Sequence, residues 1–208
     1  DDMLKAGQRL NHPKLTRKVC EQSVDTLRWT IDHIGVEYQD EPGILGGHAA
    51  PRAHRTVQNS GSGIVRPMLA KAEDLGMEVR TQMKLEALVR DDDGRVVGAR
   101  VRSDFSFPDA DSGEPRHVKA NRAVVLAAGG FGADVAYRTV QDPRLTADVD
   151  NTNHPGATAE ALLAALAVGG VPLQQSWIQL GPWTSPDEKG MGLGYMFNVV
   201  SAWPYGVL

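Results

Sequence analysis

Ala123-Val124-Val125-Leu126-Ala127-Ala128-Gly129-Gly130-Phe131-Gly132 is a short, uninterrupted run of small and β-branched apolar residues that ends in a glycine-rich turn. Such a run has no polar face to present to water, so it reads as a strand covered on both sides, the kind α/β sheets contain. Glycines at its carboxyl end remove side chains where open α/β sheets take ligands, and they let the backbone approach a bound molecule. The same residues also suit a tight strand-to-helix turn with no ligand, so the neighbouring segments have to decide.

Upstream, Leu15, Val19, Val24, Leu27, Ile31 and Ile34 recur at nearly helical spacing with charged residues between them, which predicts an amphipathic helix over 13–34 closed by Gly35. Residues 41–63 are rich in Gly and Pro and lack periodicity, marking a long loop or an irregular insert. A second helix is predicted over 64–75 with Gly76 at its end, and Met77-Glu78-Val79 reads as the start of a strand. Two strands, 85–90 and 95–101, flank Asp91-Asp92-Asp93-Gly94, whose Asp-Gly ending supplies the positive φ of a tight hairpin. Three aspartates at such a tip read as solvated carboxylates, with a cation site as the alternative.

Residues 103–121 are polar and punctuated by Pro108, Gly113 and Pro115, and read as an exposed hairpin or loop. After the opening strand and an Asp-rich connection, Thr158 is expected to cap a helix over 159–168 that Gly169-Gly170 terminates. From Trp177 the texture turns to Trp, Gly and Pro, which predicts a domain boundary near Gln175.

Composition narrows the function classes. The 208 residues carry a net charge of −4 with no basic run, so a nucleic-acid surface has no electrostatic footprint. No stretch approaches the roughly 20 apolar residues of a membrane helix. The single cysteine, Cys20, excludes an internal disulfide or a four-cysteine zinc site, and its place in a helical pattern predicts a core thiol. Asp1-Asp2-Met3-Leu4-Lys5 resembles neither a signal peptide nor a translation start, and both ends read as cut from something longer.

Several residues offer chemistry. Asn151 to Thr158 lead into a helix N-terminus, whose unsatisfied amides favour an anion or a polar ligand. Glu160 in the first turn suits either a ligand hydroxyl or the helix dipole. His154 lacks an identifiable partner and reads as a hydrogen-bonded loop histidine. Arg52, His54 and Arg55 suit a carboxylate, a phosphate or an electron-rich ring, with surface decoration as the alternative. Residues 178–186 add an amide, a bare backbone position and an indole near the expected boundary. No Ser–His–acid order, metal-spaced histidine pair or Walker loop is present, and from the residues alone the reading stops at a ligand-binding α/β fragment.

Four segments in order, Ala50-Pro51-Arg52-Ala53-His54-Arg55, Gly94-Arg95-Val96-Val97-Gly98, Ala127-Ala128-Gly129-Gly130-Phe131 and Thr152-Asn153-His154-Pro155-Gly156-Ala157-Thr158, extended by Ile178-Gln179 and Ser185-Pro186, resemble the flavoprotein subunits of fumarate reductases and succinate dehydrogenases, particularly the flavocytochrome c fumarate reductase branch. The resemblance implies an incomplete FAD-binding Rossmann-like α/β domain over 1–175, its dinucleotide fingerprint lying upstream of Asp1, and the start of a capping domain over 176–208. It implies FAD contacts at Leu85, through its backbone, and at Ala128, Gly129, Gly130 and Phe131. Thr158-Ala159-Glu160-Ala161 stands where the family has Thr-Gly-Asp-Gly, so Thr158 and Glu160 are implied FAD contacts with a longer acid between alanines.

Gln179 matches a substrate-pocket glutamine. Gly181 replaces a carboxylate-binding histidine, which argues against fumarate and, with Trp183 and Tyr195 or Phe197 available for stacking, for a bulkier unsaturated acid of the urocanate or cinnamate kind. In the family, hydride passes from reduced flavin to the β-carbon of an enoate while an arginine protonates the α-carbon. That arginine is expected beyond Leu208, so the catalytic acid is left unassigned. The resemblance further implies an electron-donor protein or haem domain and leans towards a bacterial periplasmic location over the cytoplasm. A ketosteroid dehydrogenase-like enzyme and a non-catalytic remnant of the fold are the alternatives.

Overall fold

Two units form along the chain in the computed structural model, which describes residues 1–44 and 48–180: one is Asp1–Val79, the other runs from Arg80 through the last described residue. In the first, α1 (Asp2–Ala6) precedes α2 (Pro13–Trp29), where Pro13 occupies the first turn and its fixed φ suits helix entry. α2 widens into a π-helical turn, Thr30–Ile34, before Gly35, so the predicted helix is present with its predicted end. The loop that follows folds back on itself through bridges Tyr38–Thr56 and Gly43–Ala53, and α3 (Ser62–Asp74) comes after it.

Val36 is the most deeply buried large side chain of this unit, 2% exposed. By contrast Leu15, Val19, Val24 and Ile31 of the α2 stripe, and Val65, Met68 and Leu69 of α3, are exposed. Cys20 is exposed as well, its Sγ 3.5 Å from Met3 Sδ, which corrects the expected core thiol. The helical pattern shows that a side chain shares a face, but only tertiary cover decides whether that face is dry. Met77-Glu78-Val79 form no strand, since no described segment pairs with them.

The second unit is built on a three-stranded antiparallel sheet, β1 (Lys84–Arg90), β2 (Val96–Ser103) and β3 (Glu114–Lys119), in that order. The Asp91–Gly94 turn joins β1 to β2 as expected: Gly94 has φ +81°, its amide donates to Asp91 O at 3.0 Å, and Asp91 Oδ1 accepts from Arg95 N at 2.8 Å. The tip aspartate thus serves the turn itself. β3 arises from the polar 103–121 segment, which returns as a hairpin, with Ala99 opposite Val118 and Val101 opposite Arg116. Ala99 and Val101 on β2, Leu145, and Ala159 and Ala164 form the small core.

Two helices complete the unit: α4 (Val135–Gln141), absent from the sequence expectation, and α5 (Glu160–Ala167), which packs against β1. The opening run departs most from expectation. Residues 123–128 pair with no strand among the described residues, and Val125 is 86% exposed. An apolar run encodes the tendency to be covered; the ladder itself needs partners on both sides.

Candidate functional site

The glycine turn keeps its open backbone. Gly129 has φ +77°, a conformation side chains other than glycine rarely accept, and neither Gly129 nor Gly130 has an atom within 4 Å of where a Cβ would stand. Ala127, Ala128 and Gly130 are exposed beside it. Phe131 then anchors the turn by an edge-to-face contact with Tyr137 of α4, ring centroids 4.9 Å apart.

Asp134 ties this turn to the start of α5. Its Oδ1 accepts from Tyr137 N at 2.9 Å, capping α4, and its Oδ2 accepts from Ala159 N at 3.2 Å. Ala133 N donates to Ala157 O at 3.1 Å alongside. Two corrections follow for α5. Its N-cap is Ala159 rather than Thr158, whose hydroxyl instead donates to Glu160 Oε2, and an amide expected to face an anion is already taken by the Asp134 carboxylate. Asp134→Ala should therefore cost about 1–2 kcal/mol of stability by freeing amides at two helix starts; a urea melt that leaves the midpoint unmoved would rule out the double cap.

Glu160 lies at the junction of α5 with β1: Oε1 is 3.4 Å from Lys84 Nζ, one residue before Leu85. Glu160 thereby meets the residue next to Leu85 in β1, with Thr158 bonded to the acid. Lys84 Nζ also sits 4.8 Å above the Phe105 ring.

Beneath the turn is a buried guanidinium that the sequence reading missed. Arg138, 4% exposed, donates through Nε to Leu145 O (3.1 Å), through Nη1 to Gly132 O (3.0 Å), and through Nη2 to Thr146 O (2.6 Å) and Val149 O (2.5 Å). These bonds fold the 142–150 connection against the turn. Nearby, Asp142 accepts three hydrogen bonds from Arg144, two from its guanidinium and one from its backbone amide, and these hold the Asp142 carboxyl down at about 2.

An open cleft of about 540 Å³ is lined by Gly130, Phe131, Thr152, Asn153, Trp177 and Gln179, among others. Gln179 and Asn153 also border a neighbouring cavity of about 500 Å³ whose wall includes Arg138. The glycine turn and the expected substrate glutamine thus share one cleft. Gly181, Trp183, Tyr195, Phe197 and Ser185-Pro186 lie outside the described residues. His154 Nδ1 accepts from Gly156 N at 3.0 Å, the loop role expected of it. Within the first unit Arg52 donates to Asp2 at 3.0 Å, which lowers the Asp2 pKa, and His54 meets Tyr38 edge-on at 6.2 Å. No cluster of three metal-ligating side chains occurs among the described residues, nor a helix long and apolar enough to cross a membrane.

The missed residues left uneven signals. Asp134 preceding Val135-Ala136-Tyr137 is a cap pattern that could have been read. Lys84 and Arg138 carry none, because their partners are distant in sequence or are backbone carbonyls.

Known proteins resemble this chain over most of its length. The sequence matches the FAD binding domain family over residues 1–196. It is 39% identical to the acrylate reductase flavoprotein subunit of Shewanella woodyi, covering 92% of this chain and 38% of that protein. It is 32% identical to the urocanate reductase of Eggerthella lenta, covering 96% and 32%. Among solved structures, the open conformation of a flavocytochrome c3 fumarate reductase superimposes with a TM-score of 0.79 at 28% identity, covering 91% of this chain and 32% of that one. A 3-ketosteroid-delta4-(5alpha)-dehydrogenase from Rhodococcus jostii RHA1 gives 0.60 at 27% identity over 73% and 36%. The chain spans about a third of the length of these curated relatives.

Proposed function

We propose, from the premise that this chain belongs to the FAD binding domain family in its fumarate reductase flavoprotein branch, that it is part of an oxidoreductase reducing the C=C bond of an unsaturated carboxylic acid. Its cofactor is FAD. The observation that carries the reading is the shared cleft: Gly130 and Gln179 line one space. A backbone stripped of side chains fits a flat ring system, since a Cβ at Gly129 or Gly130 would project into open space and hold such a ring away.

In this reading the Leu85 backbone, Ala128, Gly129, Gly130 and Phe131 line the cofactor, and Thr158 holds Glu160 to accept from one of its hydroxyls. FAD, when bound and reduced, supplies a hydride equivalent. The chain's own residues bind and orient: Gln179 donates its amide to a substrate carboxylate or carbonyl, and Gly181 leaves room that Trp183 fills by stacking on an extended substrate. The proton donor is assigned to no residue of this chain. The substrate class is an enoate of the acrylate-to-urocanate kind, with cinnamate-like acids included. The electron donor is a cytochrome or haem domain, and the setting is the bacterial periplasm. The dehydrogenase alternative keeps one specific support, the 0.60 TM-score to the ketosteroid enzyme.

Spectra and turnover of the full-length protein separate these. We expect a flavin visible spectrum and oxidation of reduced methyl viologen on adding acrylate, urocanate or cinnamate, with fumarate poorer. Steroid oxidation without enoate reduction would favour the dehydrogenase, and a colourless protein that takes up no FAD would eliminate both enzymes.

A further inference from the structure

We propose that Lys84 is a positioning residue for FAD, acting through the Glu160 carboxylate; the proposal rests on the reading of Glu160 as an FAD contact. Lys84 opens β1 next to Leu85, and its side chain is only 20% exposed. Its Nζ lies 3.4 Å from Glu160 Oε1 and 4.8 Å from the centre of the Phe105 ring, so the ammonium is held between a carboxylate and a π-face. The other Glu160 oxygen takes the Thr158 hydroxyl. A carboxylate has about four acceptor positions, so both oxygens retain capacity for a ligand hydroxyl.

Two physical effects give Lys84 its role. The first is electrostatic: FAD carries an anionic diphosphate, and an uncompensated carboxylate in the same site repels it, whereas an adjacent ammonium cancels that charge. The second is entropic. Glutamate has one more rotatable bond than the aspartate usual in the family, and ordering it costs more. Lys84 from β1 and Thr158 from the loop restrain the carboxylate at its two oxygens, so ligand binding need not do so. The sheet does not depend on this side chain, because Lys84 pairs with Arg102 through the backbone ladder.

The test is FAD titration of the full-length flavoprotein stripped of cofactor, followed by quenching of flavin fluorescence. Lys84→Met should raise the dissociation constant roughly five- to tenfold, and Lys84→Arg should restore it to within about twofold. Glu160→Gln should weaken binding by roughly tenfold. The double variant should bind no more weakly than Glu160→Gln alone, within about twofold, because Lys84 acts only through that carboxylate. Additive losses, or a Lys84→Met protein that binds normally while Glu160→Gln does not, overturn the role of Lys84. A Glu160→Gln protein with wild-type affinity overturns instead the reading of Glu160 as a cofactor contact. If Lys84→Met fails to fold, Lys84→Gln takes its place in the same cycle.

Discussion

Replacing Arg138 with methionine should lower stability by about 3–5 kcal/mol, the largest effect expected of any single change here. Methionine matches the arginine stem in length and apolar character, so little packing is lost. What disappears is the donor set for four carbonyls: Gly132, Leu145, Thr146 and Val149. The bond to Leu145 O is the buried one of the four and the others are part-buried; a carbonyl left buried without a donor costs about 1–3 kcal/mol, and a part-buried one less. Relief of the desolvation penalty on the guanidinium, and water entering from the adjoining cavity, return part of the sum. Lysine does not rescue fully, because a compact ammonium cannot span the positions that the planar fork reaches. In the full-length protein, amide exchange over 132–150 should accelerate and the urea midpoint should fall at unchanged slope. A variant with a wild-type midpoint and exchange pattern would show that these carbonyls do not depend on Arg138.

The second large effect is on cofactor affinity: Gly129→Val should weaken FAD binding about 100-fold or more, on the reading that this backbone faces the cofactor. Two costs add. A β-branched residue is strained at φ +77°, by about 1–2 kcal/mol, and its side chain would stand on the open face where nothing now lies within 4 Å. Gly94→Val separates the two contributions. Gly94 has φ +81° and equally open surroundings, but it sits at the β1–β2 hairpin tip, so that variant should lose stability and keep its FAD. Equal FAD loss in both variants would trace the effect to strain alone. Retention of FAD by Gly129→Val would remove the glycine turn from the cofactor wall.

Local chemistry was legible where it is self-contained. Apolar spacing with Gly35 and Gly76 marks two helices, and Asp91–Gly94 marks the hairpin, because each signal and its partner lie within a few residues. α4 was legible only at its start, where Asp134 precedes Val135: it has seven residues, and its apolar positions are embedded in a polar connection. In the site, the candidates Gly130 and Gln179 do meet at one cleft. The reading went wrong at Thr158, since a hydroxyl before a helix can cap it or bond a nearby acid, and here Glu160, two residues on, takes the hydroxyl while the distant Asp134 holds the Ala159 amide. Lys84 and Arg138 lay beyond sequence reading for the same reason: their meaning is in partners that have no local pattern. The resemblance supplied the cofactor, which neither periodicity nor charge carried.

The run 123–128 has a practical consequence. With Val125 86% exposed and no ladder partner among the described residues, it leaves an apolar, β-branched run uncovered, the composition that seeds edge-to-edge association. Purification of this segment by itself would favour soluble aggregates over monomers, and a lysine at Val125 would act as a gatekeeper against them. Colloidal behaviour and cofactor recognition therefore meet in neighbouring residues of one stretch of chain.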